Sequence, residues 1–121
     1  MPTHDEDNLV KSWLALQYAS PNSMDYEKNF WAHMTLDDLI DEDASKALVI
    51  IEHIAKKDGS EFALANLAAG PLETLLSKHG EALIDNIKIS VKSNSELKSA
   101  LGLIWKNNIP GNVWDAIQKI R

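Results

Sequence analysis

Apolar residues recur at spacings of three and four along nearly the whole chain, and no alternating β-branched run joined by hairpin turns interrupts them. A 3.6-residue period places such residues on one side of a helix, whereas a half-buried strand needs a period of two. The fold class is therefore all-α. Hydrophobic residues make up 45% of the 121 residues, enough for a packed core and too many for a disordered chain. Four tryptophans can each bury a large area in a chain of this size. Length and the lack of any linker or low-complexity stretch predict a single helical domain over residues 1–121.

Breaks and caps divide the pattern into eight or nine short helices. The first starts near Asp7 or Asn8, ends before Pro21, and turns Leu9, Val10, Trp13, Leu14 and Gln17 inward, with Tyr18 at the edge. A short helix from Tyr26 to His33 carries Phe30 and Trp31, with a core position expected for Trp31. Thr35 then caps a segment in which Asp37 and Asp38 occupy the first turn, where carboxylates favour the positive end of a helix. Asp43 caps a longer, central helix from Ala44 to Lys57, and Ser60 caps one reaching about Ala69. Later helices cover about 81–92, with Leu83, Ile84, Ile87 and Val91 inward, and then residues 97 to 105. Ser93 and Glu96 lie at capping-box spacing, and Leu97, Ala100, Leu101, Ile104 and Trp105 form one stripe. The last helix, from Asn112, buries Val113, Trp114, Ile117 and Ile120. From residue 44 the helices group as hairpins over 44–69, 71–92 and 95–121. A compact bundle and a short HEAT-like stack of antiparallel hairpins both fit this grouping.

The stretch LAAGPLETLLSKHG, residues 67–80, holds the most marked candidate acid–base pair, Glu73 and His79. Each has a structural role available. Pro71 suits the first helical position, Glu73 the third, and Gly80 the position after a helix end, with His79 in the last turn on the stripe of Leu72, Leu75 and Leu76. On a helix, six residues separate Glu73 and His79 by about 120° and about 9 Å, so a direct hydrogen bond is not expected. His4 lies in the N-terminal tail, and Glu52-His53 lacks the HExxH spacing of a zinc helix. Cysteine is absent, which removes disulfides and thiolate metal sites. The five glycines form no phosphate loop. No catalytic residue, cofactor or metal site is predicted.

Charge is placed unevenly. Residues 1–61 carry 13 acids and 5 bases, and residues 62–121 carry 5 acids and 7 bases. An acidic half disfavours nucleic acid and favours either a basic partner or plain solubility, the acids then forming a solvated face with helix caps. Its densest part is Asp37, Asp38, Asp41, Glu42 and Asp43, five negative charges in seven residues whose mutual repulsion a cationic partner would relieve. The polar start MPTHDEDN lacks the features of a secretory signal, and no apolar run approaches the roughly 20 residues of a membrane span, so a cytoplasmic protein is expected.

Through LAAGPLETLLSKHG, the later LGLIWKN and the aromatics Trp13 and Trp31, the chain resembles a family of small bacterial proteins, domain of unknown function 6869. The resemblance covers most of the chain and implies a helical fold without agreed catalytic residues. Small acidic helical proteins of this kind are similar in type to the immunity proteins with which bacteria neutralise toxins of contact-dependent and polymorphic systems. That similarity implies a non-enzymatic inhibitor of a basic, nuclease-type toxin domain, with Asp37, Asp38, Asp41, Glu42 and Asp43 as its contacts. A nuclease holds phosphates on basic surface, which an acidic protein can occupy. An accessory or scaffold domain with its partner near residues 70–80 is the alternative, and an enzyme using Glu73, His79 or His53 is a third.

Overall fold

The computed structural model describes residues 2–121, with side chains from Glu6 onward. Seven α-helices and one π-helical turn make up its regular structure: α1 (Pro2–Tyr18), α2 (Met24–Glu42), α3 (Ala44–Lys57), α4 (Glu61–Leu67), the π turn (Ala68–Leu72), α5 (Glu73–Ser90), α6 (Ser95–Leu101) and α7 (Gly111–Ile120). No strand occurs among the described residues. The all-α class holds, but three mergers, before Thr35, at Gly70-Pro71 and at Gly80, reduce the helix count. α4, the π turn and α5 follow one another without a break, so residues 61–90 form one rod and the described residues make six helical stretches.

The first merger creates α2. Ser23 is its N-cap, with a side chain that accepts a hydrogen bond from the Tyr26 amide at 3.1 Å. Thr35 lies inside the helix and caps nothing. A one-residue joint follows. The Asp43 amide donates to Leu39 O at 2.7 Å, and its carboxylate accepts from the Lys46 amide at 3.2 Å. Asp43 thus ends α2 and starts α3, as expected for the second of these roles. On the far side of α2, Asn22 adopts φ 66° in the turn from α1, a conformation that asparagine tolerates better than most residues.

The second merger occurs at Gly70-Pro71, where the sequence predicts a helix start. Inside an α-helix a proline offers no N–H and drives its ring against the carbonyl four residues back. Here the helix widens into a π turn over Ala68–Leu72 and carries Pro71 within it. Glycine at 70 lacks the Cβ that would meet the proline ring in helical backbone. Thr74 adds a side-chain bond, donating from Oγ1 to Gly70 O at 3.0 Å. Because the helix runs on through Gly80, the hairpin expected over 71–92 does not form, and the other helices gather around α3.

α3 packs against α1, α2, α4, the π turn, α5 and α6. It buries Ala47, Leu48, Ile50, Ile51, Ile54 and Ala55, as its wide apolar surface predicts. One cluster of buried apolar side chains draws on all seven helices and includes Trp13, which is 2% exposed. At α6 the cap is Asn94, one residue later than predicted. Its buried side chain accepts from the Leu97 amide at 2.9 Å and donates to Glu52 O at 3.2 Å, which ties α6 to α3. α6 ends at Leu101, so Trp105 leaves the predicted stripe and is 75% exposed.

Gly80 does not end a helix. It is buried inside α5, against α7, and a Cβ built there would lie 2.7 Å from Val113 Cγ1 and 3.1 Å from Cγ2. Val113 is itself buried and β-branched, so its methyls cannot swing clear. Gly80→Ala is therefore expected to destabilise the fold by about 1–2 kcal/mol, overpacking outweighing the gain in helix propensity. In chemical denaturation, Val113→Ala should cost less in the Gly80→Ala background than in the parent. Additive losses would show that the close approach is not what selects glycine.

Candidate functional site: the outer face of α2 and the cleft beside it

All five acids of the predicted contact run are exposed, but they do different work. Asp43 is the double cap just described. Asp41 accepts a hydrogen bond from Lys78 Nζ at 2.7 Å, reaching from α2 to α5. That bond, then the charge of Asp41 and more weakly that of Asp37, hold the Lys78 ammonium above its usual pKa. Asp38 and Glu42 lie one turn apart and enter no ion pair among the described residues.

The acids also sit at the opposite pole from the one predicted. Without a helix start at Thr35, Asp41 and Glu42 fall in the last turn of α2, which has no basic residue. Carboxylates there face the negative end of the helix dipole. Asp38→Asn with Glu42→Gln is thus expected to raise stability by up to about 1 kcal/mol. A lowered denaturation midpoint would mean that these acids hold the fold together.

Apolar side chains continue this face toward the N-terminus of α2. Phe30, Trp31 and Met34 are exposed, Trp31 by 43% and Met34 by 56%. The core position predicted for Trp31 is therefore corrected: Ala32, Leu36 and Ile40 face inward, and residue 31 falls on the outer side. Spacings of four and three line up Phe30, Met34, Asp38 and Asp41 along the helix.

Beside this face, α1, α2 and the rod enclose a cleft of about 220 Å³. Trp13, Leu36 and Ile40 form its apolar part, and Gln17, His33, Asp37, Asn66 and Thr74 its polar part, next to the π turn. Gln17 Nε2 donates to Trp13 O at 3.1 Å, and Asn66 Nδ2 donates to Gln17 Oε1 at 3.2 Å. His33 and Asp37 are four residues apart on α2, a spacing legible in the sequence. A trough of about 290 Å³ shares Gln17 and His33 with the cleft. Along it the rings of Tyr26 and Phe30 are 5.7 Å apart, and those of Phe30 and His33 are 5.4 Å apart.

The other candidates are dispersed. Glu73 accepts a hydrogen bond from Asn107 Nδ2 and Glu81 accepts one from Asn112 Nδ2 at 2.8 Å, so both pin the approach to α7 against α5. His79 lines a separate cleft of about 200 Å³ with Lys78, Glu81 and Pro110, and its buried Nε2 has no hydrogen-bond partner. His53 lies between α1 and α3 with Asp7, Lys11 and Lys57. The side chain of His4 is outside the described residues. Among the described residues, no three His, Asp or Glu side chains group as a metal ligand set, and no helix is long and apolar enough to cross a membrane.

A second polar cluster is structural. Tyr18 Oη donates to Asp58 Oδ2 at 2.6 Å, and Asp58 Oδ1 accepts from the Ser60 amide at 3.0 Å, joining the end of α1 to the cap of α4. The Tyr18 bond, followed by the Ser60 amide and hydroxyl, lowers the Asp58 carboxyl below its usual 3.8. A lowered folded pKa gives stability that is present above the unfolded value and lost as pH falls through the folded one. Tyr18→Phe should therefore cost about 0.5 kcal/mol at neutral pH, in the range of one exposed hydrogen bond. The difference from the parent should shrink below pH 3.8, read from denaturation curves at the two pH values.

Together these features define an all-α protein whose second helix exposes an acidic run, flanked by aromatics on one side and a polar cleft on the other. Over residues 19–121 the chain matches the family of unknown function DUF6869, and it belongs to that family. Trp31 and both sequence motifs fall inside the match, whereas Trp13 and Gln17 precede it. No curated protein and no solved structure matches the chain.

Proposed function

We propose that this chain is a non-enzymatic binding protein that docks a basic protein on the outer face of α2, in the manner of a cytoplasmic immunity protein that blocks a nuclease-type toxin domain. The observation that carries this reading is the exposure of Phe30, Trp31 and Met34 in line with Asp38, Asp41 and Glu42 on one helix. In protein interfaces, aromatic anchors supply most of the affinity and surrounding charge speeds encounter. Carboxylates crowded at the negative end of a helix repel one another and the dipole, which a cationic partner relieves.

The test is binding to a toxin domain encoded beside the gene. Asp37, Asp38, Asp41 and Asp43 are changed to Asn and Glu42 to Gln, since asparagine retains the N-cap role at position 43. Association should slow by about tenfold or more at low salt and lose most of its salt dependence. Trp31→Ala should act chiefly on dissociation and weaken binding by about 30-fold or more. Unchanged affinity and salt dependence in the neutralised protein would remove α2 as the interface.

An accessory domain with its partner on residues 70–80 remains the second reading, favoured by the unpartnered Nε2 of His79 beside its small cleft. Substitutions of Lys78 and Glu81 that abolish binding while the α2 variants bind normally would select it.

A further inference from the structure

We infer that the cleft at the π turn is a receptor for a single arginine side chain, presented by the basic protein that docks on α2. This inference rests on the reading of α2 as the docking helix and adds what the partner must insert. The lining holds no lysine or arginine, and its one carboxylate is Asp37. The protein's own nearby cation is already committed. Lys78 hydrogen-bonds Asp41, and its charge reaches Asp37 only as a weaker, through-space interaction. Asp37 makes no hydrogen bond or ion pair among the described residues.

The rest of the polar lining is rich in acceptors. Thr74 spends its one hydroxyl hydrogen on Gly70 O, leaving lone pairs on Oγ1. Asn66 donates from Nδ2 to Gln17, and its Oδ1 has no partner. Asp37 on α2 supplies a carboxylate, and Asn66 and Thr74 on the rod supply an amide oxygen and a hydroxyl, acceptors that suit a planar group with several donors. A buried apolar base of Trp13, Leu36 and Ile40 lowers the local dielectric and strengthens such charge-assisted bonds. The volume, about 220 Å³, suits one side-chain head group. The Tyr26, Phe30 and His33 rings line the trough that opens into the cleft, and guanidinium stacks on ring faces where ammonium does not.

The π turn builds this arrangement. The rod widens around Pro71 at the point where Asn66, Gly70 and Thr74 line the cleft with residues of α1 and α2. A standard helix start at Pro71 would have released α4 from α5 and left these three residues without a fixed register.

The test uses the intact protein and small probes, so it does not require the partner. N-acetyl-arginine methylamide is titrated against amide NMR spectra, with the lysine and citrulline counterparts as controls. Saturable shifts centred on Asn66, Gly70 and Thr74 are expected for arginine, weaker ones for lysine and none for citrulline. Asp37→Asn should weaken arginine binding by at least about tenfold, and Thr74→Val, which keeps the shape, by a smaller factor. Spectra of the free variants verify that each is folded. Asp38→Asn with Glu42→Gln should leave the cleft shifts in place, which separates the pocket from the outer face. The inference is overturned by shifts confined to Asp38 and Glu42, by equal binding of citrulline, or by the absence of any saturable shift. In each of those cases, docking on α2 is still decided independently by the salt dependence of partner binding.

Discussion

A proline inside a helix is the constraint on which the rest of this structure depends. Pro71 supplies no amide hydrogen, and its ring excludes the α-helical position of the carbonyl four residues earlier. A chain at this point can break or widen. It widens, over Ala68–Leu72, and residues 61–90 stay one rod. Both ends of that rod depend on the choice. Toward its start, Asn66, Gly70 and Thr74 are held against α1 and α2 and shape the cleft. Toward its end, Gly80 meets Val113 and seats α7. π turns recur at functional sites in proteins because they redirect side chains without ending a helix. This one sits beside a cleft lined by Gln17, His33, Asp37, Asn66 and Thr74.

That same proline marks the limit of what could be read from the residues alone. Local signals were legible wherever local energies decide. Asp43 and Ser60 cap where the spacing places them, and the wide stripe of α3 does form the centre. Glycine and proline are ambiguous because each has two uses. Gly80 looks like a helix end, yet its missing Cβ serves a contact with a residue 33 positions later, which no local pattern encodes. Gly70-Pro71 looks like a start, and only the packing of both flanking segments against α3 makes continuity the better solution. Thr35 can cap, but nothing compels a break before it, so the longer helix wins.

The aromatic errors share a different cause. The sequence places Trp31 and Trp105 inward because large apolar side chains carry a large hydrophobic gain on burial. Which side of a helix they occupy depends on the helix limits. Extending α2 through Thr35 rotates no residue, but it makes Ala32, Leu36 and Ile40 the inward stripe and leaves Trp31 outside. Ending α6 at Leu101 strands Trp105. The acidic run was legible as residues, and the family resemblance was legible from the motifs. The exposed aromatics in line with the acids were not, since they follow from the merged helix.

Merging α2 also changes the physical meaning of its charge. At a helix start, Asp37 and Asp38 would be stabilising and need no further explanation. In the actual helix, Asp41 and Glu42 occupy the end where the dipole is negative, and only Asp43 gains from the start of α3. Lys78 offsets one of the acids across the α2–α5 boundary, and the i, i+4 pair Asp38 and Glu42 is left repelling. On the proposed reading, a cation brought against this surface would relieve that repulsion on contact. The unpaired Asp37, placed between that face and the cleft, is where such a cation would pass from the surface into the protein.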